Sequence, residues 1–288
     1  MKRVGYVFSM GPTNSSRARR FRYSAIAALG AVVVAVASSA PVSALAASND
    51  ATAGSVESSL NRVESLDSTL LLEPRGTDAA SVIGVSAQLG SGTVQVPSDL
   101  TEGVQIISEN DKSVIVSLPF DEDADNAVAL DNGAIAFPGK DSSNAVIVSE
   151  VGVQMLTTIE NKSAPTRFDY EVGLEEGQKL TFLNGDVVIL NADGSVELSV
   201  APAWAVDANG SAIPTAYEID GSTLTQVVNH VDASTAYPVV ADPVWIAPWV
   251  FKCLLGLGLS GPQITAAFAS GTIWGGLGRA ALACVTGK

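Results

Sequence analysis

Between residues 82 and 240 the chain is cut into short β-patterned runs, and a turn signal closes most of them. Runs rich in Val, Ile, Leu, Phe and Thr occupy 82–85, 93–96, 104–107, 113–118, 145–149, 151–159, 168–172, 179–182, 187–190 and 196–200. Between them stand Asp131-Asn132-Gly133, Asn184-Gly185, Asp193-Gly194, Asn209-Gly210 and Asp220-Gly221. An Asn or Asp followed by Gly supplies the positive φ angles that tight hairpins need. Strands do not alternate with long helices, so a doubly wound parallel sheet is excluded. The pattern predicts a mainly β fold, an antiparallel sandwich or a barrel-like sheet.

Both flanks are different. Residues 47–80 read as a small, polar leader followed by an amphipathic helix over 56–72. Its stripe is Val56, Leu60, Val63, Leu66 and Leu70, and Glu73-Pro74 ends it. A last extended strand is expected over 237–242, closed by Pro243, because Pro238 and Pro243 restrict themselves and the residues before them. The β domain is therefore set at 81–242. The tail, 243–288, is apolar and rich in Gly and Ala. Ser260 and Gln263 form a capping box with Pro262 just inside it. Ile264, Ala267 and Phe268 share one face, and Ile273, Leu277, Ala281, Cys284 and Val285 another, so the tail reads as two or three short helices.

Charge follows the same division. All 30 acidic residues and seven of the basic ones lie in 47–242, whereas the tail has no Asp or Glu and only Lys252, Arg279 and Lys288. A body this acidic does not bind nucleic acid through a basic surface. A tail of this composition suits a membrane surface or an apolar protein partner. Its contact residues would be Trp245, Trp249, Phe251, Lys252, Trp274 and Arg279.

The N-terminus reads as an export signal. Arg17, Arg19, Arg20 and Arg22 precede an apolar stretch from Ala25 to Ala37, and Ala44 and Ala46 sit where a signal peptidase reads, with the cut before Ala47. The stretch falls short of the roughly 20 residues of a membrane span; an uncleaved anchor is the alternative. Met10 is a second possible start. The expected location is secreted or cell-surface. There Cys253 and Cys284 can pair, closing a loop worth roughly 3–4 kcal/mol by the chain-entropy argument.

Catalytic signatures are sparse. His230 is the single histidine, with Asp232 two residues on. A solvated strand pair is the plainer reading, and a hydrolase using His230 the alternative. Metalloprotease, P-loop and dinucleotide motifs do not occur, so no cofactor is expected. Asp121, Asp123 and Asp125 alternate as in a calcium loop. However, Asn126 and Asn132 stand where an EF-hand needs Gly and Glu, which leaves a weak calcium candidate.

Several motifs fall in order between Glu160 and Trp245. They are Glu160-Asn161-Lys162-Ser163-Ala164-Pro165-Thr166-Arg167-Phe168-Asp169-Tyr170, Asn184-Gly185-Asp186-Val187-Val188-Ile189-Leu190, Ala201-Pro202-Ala203-Trp204 and Thr235-Ala236-Tyr237-Pro238-Val239-Val240-Ala241-Asp242-Pro243. This segment resembles an uncharacterised β-rich module of secreted proteins from high-GC Gram-positive bacteria, which ends in Tyr-Pro-Val-x-x-Asp-Pro. The resemblance implies secretion, a β module and a variable C-terminal piece. It implies no catalytic residues.

Two readings follow. One is an exported, non-enzymatic protein of two parts, an acidic β carrier and a membrane-active, bacteriocin-like peptide. The other is a surface-associated structural or interaction protein whose tail is a helical subdomain or a membrane-docking element.

Overall fold

The computed structural model describes residues 51–76, 78–108, 112–269 and 283–284. The chain divides into two units between Ala46 and Ala47, and the described residues all belong to the second. Ala44 and Ala46, the expected cleavage residues, lie outside them.

Among the described residues, the first element is helix α1 (Ala53–Leu66). Strands β1 (Ser86–Leu89), β2 (Gly92–Gln95), β3 (Val104–Ile107), β4 (Ser113–Ser117), β5 (Val128–Ala129) and β6 (Ile135–Phe137) follow. Next come β7 (Ser142–Ser149), β8 (Gly152–Ile159), β9 (Arg167–Gly173), β10 (Lys179–Leu183), β11 (Asp186–Leu190) and β12 (Val196–Val200). The chain continues through β13 (Ala205–Val206), β14 (Thr215–Asp220), β15 (Thr223–Val228), β16 (Val239–Ala241) and β17 (Val244–Ile246). Helices α2 (Pro248–Gly256) and α3 (Gly261–Ala269) close the series.

The fold is mainly β, in two antiparallel sheets. The first has the order β1-β2-β3-β4-β9-β15-β14, and the second β10-β11-β12-β17-β8-β7-β6-β5, with β16 paired to β8 and to β13. The turn signals sit where hairpins close. Asn184 and Gly185 link β10 to β11 with φ of 54° and 97°, the paired positive angles of a tight two-residue turn.

Burial separates the two sheets. Along β9, Phe168, Tyr170 and Val172 are buried while Arg167, Asp169 and Glu171 are exposed. The first sheet thus has one wet face. Every residue of β8 is buried, so the second sheet is covered on both faces at its centre. On its inner face Phe137, Val146, Val153, Met155 and Trp245 join Val94, Ile106, Val116, Phe168 and Tyr170 of the first sheet in one cluster. On its outer face Ala145, Leu156, Val240 and Ile246 pack with Val56, Leu60 and Val63 of α1 and with Val250, Phe251, Leu254, Ile264 and Phe268 of α2 and α3.

Two boundaries differ from the sequence reading. Helix α1 ends at Leu66 rather than Leu72. Asp67 is extended (φ −153°), and its Oδ1 accepts from the Thr69 amide and hydroxyl. Gln154 of β8 then clamps the departing chain. Its Nε2 donates to Leu70 O (2.8 Å), and its Oε1 accepts from Leu72 N–H (2.8 Å).

Pro243 does not end the sheet either. It interrupts a strand that continues past it, because β16 and β17 both pair with β8 and Pro243 supplies its carbonyl to Met155 N–H (2.9 Å) between them. A proline lacks only its own donor. The division after Asp242 therefore cuts through the second sheet, since β17 lies between β12 and β8.

Trp245, fully buried on β17, is the test of this arrangement. Trp245→Ala should lower stability by about 3–5 kcal/mol, as large core truncations do. Urea unfolding followed by circular dichroism measures it, and a loss below about 1 kcal/mol would place the indole outside the core.

Candidate functional site: the C-terminal layer and the buried Asp242 cluster

The residues expected to meet a membrane occupy several environments. Trp245 and Phe251 are buried and belong to the inner and outer clusters, so in this fold they are core residues and not a membrane face. The reason is periodicity. β17 alternates Trp245 inward with Val244 and Ile246 outward, and α2 turns Val250, Phe251 and Leu254 onto the second sheet.

Trp249 is half-buried and lies against the β1–β2 hairpin. A Cβ at Gly92 would overlap its ring and the Ile107 carbonyl, and one at Gly90 would sit 2.9 Å from Nε1. These two glycines leave a notch that the indole fills, tying the tail to the first sheet as well as the second. Trp274 and Arg279 lie outside the described residues. Leu255 and Leu257 face solvent. No helix among the described residues is long and apolar enough to cross a membrane.

Lys252 is exposed, but its Nζ reaches Oε2 of the buried Glu197 at 3.5 Å. Asn191 Nδ2 donates to the same oxygen (2.9 Å), and Oε1 has no partner. Thr265 Oγ1 donates to Asp186 Oδ1 (2.8 Å), which fixes α3 to β11. At the start of α3, Ser260 N–H and Oγ both donate to Gln263 Oε1 (2.9 Å each), which forms one arm of the expected capping box, while Gln263 N–H donates to Ser260 O (3.0 Å) and not to the hydroxyl. Cys253 and Cys284 form a disulfide, with Cα atoms 5.6 Å apart, tying α2 to residues 283–284.

The terminal motif runs from the half-buried Tyr237 to the fully buried Asp242. Tyr237 donates its hydroxyl to His230 O (3.0 Å) and contacts His230 Nδ1 (2.9 Å), while Nε2 of the ring meets Pro165 O (2.9 Å). Tyr237 and Pro238 are joined by a cis peptide bond. His230 is fully buried, and the Asp232 carboxylate is engaged by Ser234 instead. The expected pair on one strand face does not form, because β15 ends at Val228 and the chain turns at 229–232.

Asp242 is the other end of the motif. Its Oδ1 accepts from Trp204 N–H (3.0 Å), and its buried Oδ2 has no partner. Gln226, on β15, donates Nε2 to Trp204 O (3.1 Å) and to Thr215 Oγ1 (3.2 Å). Tyr170 OH meets Thr157 Oγ1 (3.2 Å), and Tyr217 OH has no partner. Burial raises the Asp242 carboxyl well above its usual range. Burial first, and then the field of Asp242, raise both tyrosines. Burial in this interior thus disfavours the ionised forms of the acid and of the two phenols.

Asp121, Asp123 and Asp125 do not converge. Asp121 Oδ1 caps Glu122 N–H, and among the described residues no group of His, Cys, Asp or Glu is arranged to hold a metal. The calcium candidate is withdrawn on that geometry.

Glu197, Gln226, Tyr170 and Tyr217 carried no local signal in the sequence. Strand pairing of β9, β15 and β14 brings Tyr170, Gln226 and Tyr217 together, whereas Glu197 on β12 meets Asn191 and Lys252. Asp242-Pro243 was the one legible pointer. No protein-family model matches the chain, and no curated protein is significantly similar to it.

Two measurements follow. A carboxyl with a raised folded pKa stabilises the fold fully below its unfolded pKa, and that contribution is lost as pH rises through the folded one. Stability should therefore fall with rising pH, by up to about 1.4 kcal/mol per pH unit across that window. Asp242→Asn, neutral at every pH, should flatten the slope in urea titrations run from acid to alkaline pH. Parallel slopes in parent and variant would mean that Asp242 is ionised in the fold. Gly92→Ala should cost about 1–3 kcal/mol by overpacking and red-shift tryptophan emission as Trp249 leaves its notch. An unchanged spectrum would place Trp249 elsewhere.

Proposed function

We propose that this is an exported, non-enzymatic interaction protein, in which the C-terminal helices are an integral subdomain of an acidic β body. The observation that carries this reading is the position of β17, hydrogen-bonded to β12 on one side and β8 on the other. A segment in the middle of a sheet is a poor candidate for a separable effector. We further propose that the two sheets form a sandwich closed over their shared apolar cluster. Export rests on the arginine-rich start, the short apolar stretch, and Ala44 and Ala46. The disulfide is compatible with an oxidising compartment. The motif ending at Asp242-Pro243 supports the same reading through its resemblance to the secreted module.

A carrier holding a membrane-active tail is the second reading. It is favoured by the cover that the acidic body gives the apolar face of α2 and α3 and by the Lys252–Glu197 contact. On that reading the cut must fall after Ile246, so that β17 stays in the sheet.

Three forms separate the two readings: residues 47–288, 47–247 and 47–242. The last should show no cooperative urea transition by circular dichroism, because it lacks the strand between β12 and β8. The whole exported chain should keep its tail by intact mass and leave phosphatidylglycerol vesicles unbound. Cooperative folding of 47–242, or a released tail sedimenting with the vesicles, refutes the integral-subdomain reading.

A further inference from the structure

The corner around Phe120 belongs neither to the C-terminal layer nor to the Asp242 cluster. Phe120 follows β4 with φ of 55° and a side chain 43% exposed. Its ring meets the buried Phe168 edge-on, with centroids 6.1 Å apart. On one side of it lies a cavity of about 220 Å³, walled by Phe120, Asp123, Lys140, Asp141, Asn144 and Pro165 among others. On the other side lies a groove of about 350 Å³ that includes Asp121, Glu122, Asp169 and Glu171.

Asn144 is the informative wall residue. It is 4% exposed, and its Nδ2 donates to Pro119 O at 2.7 Å. A carbonyl oxygen only accepts, so that bond fixes the orientation of the amide. Oδ1 is then a buried acceptor with no donor. An unmet buried acceptor is costly, and a ligand that brings an N–H removes the cost. The two hollows together carry six carboxylates and one ammonium, that of Lys140.

We propose that this corner binds an alkylammonium or guanidinium group, as carried by the side chain of a basic peptide. The head donates to Asn144 Oδ1 in the field of Asp123 and Asp141, and the aliphatic stem lies on the exposed Phe120 ring. Cation–π attraction and charge complementarity both favour such a group over a neutral one. This names a partner class for the interaction reading and rests on that reading only in taking the protein for a binder.

The test is calorimetric titration of the exported protein, disulfide intact, with trilysine, spermidine and the neutral sugar maltotriose, at low and at high salt. Trilysine should bind and weaken as salt rises. Binding of trilysine alone identifies a peptide source, and equal binding of spermidine identifies the ammonium group itself. Phe120→Gly suits the positive φ and should weaken binding about tenfold, as should Asn144→Ala. The exposed pair Glu122→Gln and Glu171→Gln, which leaves the core intact, should weaken it about threefold. Glu64→Gln on α1, away from the corner, should change nothing. The proposal is overturned if folded Phe120→Gly and the Glu122/Glu171 variant bind like the parent. It is also overturned if Glu64→Gln weakens binding equally, which marks a diffuse acidic surface, or if maltotriose binds independently of salt. None of these results alters the truncation outcome, so the tail reading stands or falls separately.

Discussion

Three residues near the C-terminus, Val244 to Ile246, hold the second sheet together. Without β17, strands β10 to β12 lose their hydrogen-bonded link to β8, and the inner core loses the Trp245 indole. The outer layer depends on the same strand. Val244 and Ile246 are part of the surface that α1, α2 and α3 cover. Pairing this strand with β8 brings together residues about 90 positions apart in the chain. Such a closure is worth its entropy only when much apolar area is buried at once. Here both faces of β8 are buried by it.

The charge division of the chain then has a structural meaning. Part of the tail, including Val244, Trp245, Ile246, Val250, Phe251, Leu254, Ile264 and Phe268, is core, where an unpaired carboxylate is expensive. The acidic residues lie largely on exposed positions, such as the outward side of β9. The exceptions are informative. Glu197 is buried where Lys252 and Asn191 can reach one of its oxygens. Asp207 is buried but accepts from the backbone amides of Asn209, Ser211 and Ala236, in effect capping a turn. Asp242 has a single backbone donor and is driven toward its neutral form by burial. A large acidic surface is a self-repelling arrangement, and it is compatible with a cationic partner.

The Tyr237–Asp242 motif joins the two sheets. Tyr237 and His230 fasten the end of β15, from the first sheet, to the chain entering β16 in the second. Asp242 fastens the exit of β16 to Trp204, whose carbonyl also receives Gln226 of β15. These contacts position backbone. The residues that face solvent with unusual character are elsewhere, at Phe120 and its carboxylates.

The β class, the hairpin turns, the pairing of Ser260 with Gln263 and the stripe of α1 through Val63 were legible in the sequence, because each rests on contacts within a few residues: a period of two, an Asn-Gly pair, a side-chain amide one turn from a backbone N–H. The disulfide was legible for a different reason, as the single pair of cysteines. Other features were decided only in three dimensions. Gln154 holds the chain that leaves α1, at Leu70 and Leu72, from at least 82 residues away. Pro243 interrupts a strand because β8 keeps pairing past it. The composition of the tail is equally suited to a lipid surface and to a protein core, since both reward apolar area. The pairing of β17 with both β8 and β12, and the glycine notch in the β1–β2 hairpin that fits Trp249, exist only once the sheets have formed.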